Sequence, residues 1–184
     1  MQTKGRTALN FQIRRNLAIA FFAIFLIDYV TKFLAFKYLG ESPKKIIGNF
    51  LKLNLTINNG AAFNIGIGSG RFFAIFGTLV LAVIFYIGRR IDSKSWAISL
   101  GILAGGIGGN LSDRIFRNPG YLQGGVIDWI QIPKWPIFNF ADVAITLGFA
   151  TCIWLSYKKI PMEDRKSTRL NSSHSQQSRM PSSA

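Results

Sequence analysis

The chain has 184 residues, 49% of them hydrophobic, with 22 Lys and Arg against 8 Asp and Glu and a formal charge of +14. A mean hydropathy of +0.25 beside that charge argues against an ordinary soluble domain with charge spread over its surface. Apolar runs lie in one medium and basic runs at its edges. Because the basic residues flank apolar runs instead of lining one face, nucleic acid is not the expected partner.

Four segments read as membrane spans: residues 16–38, 72–87, 96–111 and 140–157. Several are near the lower end of the roughly 17–25 residues that cross a bilayer. Residues 1–15 form a basic N-terminus. The first apolar run is too long for a signal peptide and no small-residue cleavage site follows it. Between the first two spans, "FLKLNLTI" (50–57) alternates as a strand does and "NNG" (58–60) reads as a turn. A short sheet there, lying on the membrane surface, can hold an extended peptide by strand addition. The third span carries Gly101, Gly105 and Gly109 at four-residue spacing, which lets helices approach closely. Lys4, Arg6, Arg14 and Arg15, then Arg89, Arg90 and Lys94, then Lys158 and Lys159 fall on one side of a four-span frame. That side is read as the cytoplasm, with both termini there. The four-span body covers residues 16–159 and a tail covers 160–184. Within the tail, Ser-rich and polar residues 166–184 read as disordered or as a non-native scar.

The only histidine, His174, lies in that tail, and the only cysteine, Cys152, lies mid-span. A Ser-His-Asp triad, a Cys-His pair and a His/Cys zinc site are therefore absent from the body, and no metal or other cofactor is expected. Cys152 is most simply a small buried apolar residue. Of the acids, Glu41, Asp92, Glu163 and Asp164 read as solvated charge. Asp28, Asp113, Asp128 and Asp142 lie within or beside spans, where ionisable groups are costly and need a reason. Lys32 stands four residues after Asp28, so a local ion pair is expected. Asp113 ends the third span in "GGNLSDR", with Arg114 next to it, and a structural ion pair is again the favoured reading. Asp142 stands at the third helical position if Asn139 is the N-cap, where the helix dipole favours a carboxylate. Asp128 sits among Val126, Ile127, Trp129 and Ile130, which disfavours its charged form. Pro133 and Pro136 let the chain turn back between the two. One carboxylate held ionised and one held protonated is the arrangement an aspartic hydrolase needs. The same acids also fit a proton relay in a small transporter, though they gather on one side of the frame.

Five blocks in order carry a family resemblance: "DYVTK" (28–32), "NNGAAF" (58–63), "GGIGGNLSDR" (105–114), "GGVIDWI" (124–130) and "FNFADVAITLG" (138–148). Together they resemble lipoprotein signal peptidase, signal peptidase II, a bacterial membrane aspartic peptidase family. The resemblance implies a mainly α membrane fold of four transmembrane helices with a small extracytoplasmic β-cradle and a short outer helix. It places the catalytic pair on Asp128 and Asp142, with Asp28, Lys32, Asn58, Gly60, Asn110, Asp113, Arg114 and Asn139 supporting the site or binding substrate. It implies a diacylated prolipoprotein as substrate, cut before the lipidated cysteine, and membrane lipids as surroundings. The location implied is the bacterial cytoplasmic (inner) membrane with the active site toward its outer face, and a monomer is expected. Residues 118–123 lengthen the link between Arg114 and Asp128, and Trp129 stands where the family has Phe.

Overall fold

The computed structural model describes residues 2–60 and 70–163, with side chains from Phe11 onward. Residues 61–63 of the "NNGAAF" block, and the tail from 164 with His174, lie outside the described residues. The elements are α1 (Gln2–Tyr38), β1 (Lys44–Ile47), β2 (Leu51–Asn58), α2 (Gly70–Gly88), α3 (Lys94–Phe116), β3 (Val126–Gln131) and α4 (Phe140–Tyr157). The four expected spans all fall on helices. α1 begins well before residue 16, α3 outruns 96–111 at both ends, and α4 has the expected bounds. Among the described residues there is no separate short outer helix.

The helices alternate in direction. At one end, the Arg14 guanidinium of α1 donates to the Arg89 carbonyl just after α2 (2.7 Å), and the Trp96 indole of α3 donates to the Ile160 carbonyl after α4 (2.9 Å). Arg14 and Arg89, from two of the basic clusters, thus lie together at this end. At the other end, Lys32 of α1 donates to Asn110 of α3 (2.9 Å), and the first turn of α4 donates through the Ala141 amide to Asp28 (2.9 Å).

α1 from Phe11, α2 and α4 are long and apolar enough to cross a membrane. Their outer faces leave large apolar side chains exposed, among them Phe22, Leu26, Phe76, Leu79, Leu147 and Ile153. That is the pattern of a lipid-facing surface, since a soluble chain of this size rarely exposes so continuous a belt. α3 is different: it packs between the others and its buried residues include Gly101, Gly105, Gly106, Gly108 and Gly109. Glycine costs it hydropathy, but a central helix needs close contact more than an apolar outer face. A Cβ at Gly105 would stand 2.7 Å from the Phe21 carbonyl oxygen of α1, and one at Gly106 would stand 2.6 Å from the Ala141 carbonyl oxygen of α4. Gly105→Leu therefore has to push α1 away. The expected result is a loss of about 1–3 kcal/mol or more, read as a lower midpoint on titration with SDS; an unchanged midpoint would contradict the packing.

The apolar core lies toward the Arg14 end. Ile13, Leu17, Ile84, Trp96, Leu100 and Leu155 form it, with Ile160 and Met162 packed against it. The packed body thus runs past residue 159, where the sequence reading ended it, because Trp96 takes its hydrogen-bond partner from the segment after α4.

The three strands form one antiparallel sheet, β1-β2-β3, at the opposite end. The sequence indicates β2 by its alternation; β3 was not expected as a strand. The register pairs Thr56 with Asp128 and Asn58 with Val126. Side chains two residues apart on a strand share a face, so Asn58 is a diagonal neighbour of Asp128. After β3 the chain turns at Lys134 (φ 61°), and Phe138 bridges back to Ile130. That return sets Asn139, the start of α4, beside Asp128.

Candidate active site

All ten candidate residues come together at the sheet end of the bundle. Asn139 is the joint between the two acids. It is fully buried, and its side-chain amide donates to Asp128 Oδ1 at 2.6 Å. Its Oδ1 accepts from the Asp142 amide (3.0 Å), while Asp142 Oδ2 accepts from the Asn139 amide (3.1 Å). This reciprocal capping box is the geometry expected of Asn at the N-cap and an acid three residues later. One side chain therefore fixes both carboxylates. Asn58 holds the other oxygen of Asp128, Nδ2 to Oδ2 at 3.0 Å, and its own Oδ1 accepts from the Gly60 amide at 3.0 Å. Asn110 donates to Asp142 Oδ1 at 2.8 Å.

Asn110 in turn is oriented from behind. Its Oδ1 accepts from Lys32 Nζ (2.9 Å) and from Asn139 Nδ2 (3.2 Å), so its amide nitrogen must face Asp142. Lys32 is 1% exposed and pairs with Asp28 Oδ2 at 2.7 Å and Asp113 Oδ2 at 2.9 Å. The Asp28–Lys32 pair is the one expected from four-residue spacing. The Asp113 partner differs from the neighbour considered in the sequence: Asp113 pairs with Lys32 and with Arg117 (Nε to Oδ1, 2.5 Å), not with Arg114. Consecutive helical side chains diverge, whereas positions four apart meet, so Arg117 was legible from spacing and overlooked. Arg114 instead donates to the Gly60 carbonyl at 2.5 Å and to the Gly124 carbonyl at 3.4 Å, joining α3 to the loops after β2 and before β3. Asp28 Oδ1 accepts from the Ala141 amide, and Asp113 Oδ2, the oxygen that pairs with Lys32, also accepts from the Ile127 amide. The ion cluster thus fastens α4 and β3 to α1 and α3. Gly109 is required beside it, because a Cβ there would collide with the Asp28 carboxylate.

Burial pushes the Asp128 carboxyl up to about 7, and the neighbouring Asp142 charge adds to the rise; hydrogen bonds from Asn58 and Asn139 and the Lys32 charge oppose it. Asp128 is 3% exposed. Both carboxylates open on a cavity of about 510 Å³. Asn58, Asn110 and Arg114 line its polar end, and Phe73 and Phe76 of α2, Ile107 of α3, Ile145 of α4 and Pro136 form apolar walls. The α2 wall was not foreseen, since apolar residues in a span carry no mark of facing a cavity. Among the described residues no three His, Cys, Asp or Glu side chains group as a metal site. Asp28 and Asp113 are taken by Lys32.

A helical membrane protein with two jointly held carboxylates, Asp128 buried and Asp142 partly exposed, lining an apolar cavity is the class that fold and site define. The chain belongs to the signal peptidase II family, a family of proteases: the family model described as signal peptidase (SPase) II matches residues 20–158. It is 41% identical over 152 residues to the lipoprotein signal peptidase of Leifsonia xyli subsp. xyli, covering 82% of this chain and 70% of that one. It is 43% identical over 148 residues to that of Streptomyces griseus subsp. griseus, covering 79% and 76%. A bacterial membrane enzyme solved by the in meso method superposes with a TM-score of 0.69 at 26% identity, covering 82% of this chain and 92% of that chain.

Proposed function

We propose that this chain is a membrane aspartic endopeptidase that removes the signal peptide from diacylglyceryl-modified prolipoproteins, cutting before the lipidated cysteine. The observation that carries the reading is the Asn139 clamp, which holds Asp128 and Asp142 together at the cavity mouth. Asp142, capped at a helix N-terminus and fed by Asn110, serves as the base; Asp128, buried and protonated near neutrality, serves as the acid. Water lies between them. Its oxygen attacks the scissile carbonyl carbon as a proton passes to Asp142, and Asp128 gives its proton to the carbonyl oxygen. The tetrahedral diol then collapses: Asp142 gives its proton to the cysteine nitrogen, the C–N bond breaks, and Asp128 takes back the proton of a diol hydroxyl as the carboxyl group forms. The α2–α3–α4 cavity suits an apolar signal peptide and the lipid chains of its cysteine. Each buried methylene adds about 0.8 kcal/mol, so the lipid delivers the scissile bond to membrane-surface depth.

The proposal includes the topology. α3 runs between the same two ends as the three apolar helices and is about 34 Å long at 1.5 Å per residue, which supports it as a fourth span. The Arg14–Arg89 end is cytoplasmic by its basic residues, with both termini there. The sheet and the acids face the outer side of the cytoplasmic membrane, and the protein works as a monomer with lipids around it. The residue roles follow the contacts: Asn58 and Asn139 orient Asp128, Asn110 orients Asp142, and Asp28, Lys32 and Asp113 brace the site. Arg114 and Gly60 shape the loop beside the cavity.

The pH–rate profile tests the shared proton. The pair titrates as a unit. Activity needs the singly protonated pair, because the base must be ionised while the acid keeps its proton. It falls as pH climbs through about 7, where Asp128 loses the proton it must donate. A profile flat into alkaline pH with the protein folded would contradict the dyad. A proton-coupled transporter, the other reading of these acids, would instead show substrate-driven proton flux in liposomes without cleavage.

A further inference from the structure

The β1–β2 hairpin is unlike the rest of the sheet. Every residue of β1 is exposed. Ile46 is 56%, Ile47 59% and Phe50 64% exposed, so the tip is apolar without a protein partner among the described residues. The turn between them carries Gly48 at φ 51°, a left-handed position that keeps the tip tight. Behind the tip, Lys45 and Lys52 are paired directly across the strands, with Lys44 beside them. Like charges opposite each other destabilise a sheet, and the only acid between residues 37 and 58 is Glu41. Lys44 turns to the Tyr38 carbonyl at the end of α1, which ties the hairpin to the exposed aromatic end of that helix, Phe33, Phe36 and Tyr38.

We propose that this hairpin is an anionic-phospholipid contact: Ile46, Ile47 and Phe50 dip among the acyl chains while Lys45 and Lys52 share headgroup phosphates. Charge complementarity selects the occupant. A zwitterionic surface would take the apolar tip but would leave the lysine pair without net counter-charge, whereas anionic headgroups supply it. Continuity with the lipid-facing surface of α1 places the tip at bilayer depth. The contact rests on the helices lying in a membrane and is independent of the aspartate chemistry. Its consequence is that headgroup composition sets how firmly β2, and with it Asn58, is held over the cavity.

The test uses the full chain with a bromine-quenchable fluorophore at the tip. Asn49→Cys, exposed in the turn, is labelled in a Cys152→Ala background, since Cys152 is the only cysteine. Vesicles hold equal fractions of phosphatidylcholine and phosphatidylglycerol, and either one or the other carries brominated chains. Brominated phosphatidylglycerol is expected to quench about twofold more than brominated phosphatidylcholine at low salt. The excess should shrink toward none in roughly 0.5 M salt, where surface charge is screened. Lys45→Gln with Lys52→Gln removes the excess and leaves the tip quenched, while Lys45→Arg with Lys52→Arg keeps it. Equal quenching by both lipids in the wild type, an excess that survives the double Gln variant, or a label unquenched by either lipid would each overturn the contact. The last would show a hairpin in water or against another protein.

Discussion

Asp128→Asn and Asp142→Asn are each expected to reduce prolipoprotein cleavage by at least about 10³-fold, within the range for losing general acid or base catalysis. The substitutions are nearly isosteric, so the effect is chemical. Asn cannot accept the proton of the attacking water in place of Asp142, and its amide is too weak an acid to serve in place of Asp128. The cost to structure is smaller. Asp128 accepts one hydrogen bond on each oxygen, from Asn139 and from Asn58, and an amide there turns one acceptor into a donor facing a donor. Asp142 likewise accepts on both oxygens, from Asn110 and from the Asn139 amide. Each variant therefore loses a hydrogen bond worth about 1–3 kcal/mol when a partner is left unsatisfied. Cleavage of the precursor, followed on a gel beside an SDS unfolding curve, separates the two effects. Near-normal turnover by either variant in folded form would remove the dyad.

Lys32→Met is expected to bring the largest loss of stability. The ammonium is buried against two carboxylates and one amide oxygen, Asp28, Asp113 and Asn110. Without it Asp28 has no counter-charge and Asp113 keeps only Arg117, whose side chain is 31% exposed. Removing one member of a buried ion cluster costs about 3–5 kcal/mol, more than the cluster contributes relative to an apolar core of the same shape. Activity should fall as well, because Asn110 loses the shorter of the two hydrogen bonds that orient it and keeps only the one from Asn139 at 3.2 Å. Lys32→Arg should not rescue it, since a planar guanidinium is larger and presents its donors in a fixed fork. The SDS midpoint reads the stability loss, and a variant that unfolds at the wild-type midpoint would show that Lys32 does not brace the site.

Local patterns in the sequence were legible wherever one element contains both partners. Asp28 and Lys32 lie one turn apart on α1, and spacing alone pairs them. Asn139 and Asp142 show the N-cap and third-position pattern before any helix is seen. The strand β2 betrays itself by alternation. What could not be read is long-range. Lys32 meets Asn110 and Asp113 across the helix interface, and Asn58 meets Asp128 through a strand register that depends on β3. The β3 segment hides because both its faces are largely apolar near Asp128, so it lacks the alternation of a half-buried strand. α3 reads as a weak span for a related reason: a helix buried among helices needs small residues where a lipid-facing one needs large ones. The apolar wall from α2 carried no sequence mark at all.

The most direct measurement is the mass of the products when the purified, reconstituted protein meets a diacylated prolipoprotein and the same precursor without its lipid. The reading predicts one cut in the lipidated precursor, leaving a product that begins with the diacylglyceryl cysteine and releasing the intact signal peptide. The unlipidated precursor should be cleaved far more slowly. A cut elsewhere in the chain, equal cleavage of both precursors, or no cleavage of the lipidated one by folded protein would contradict it.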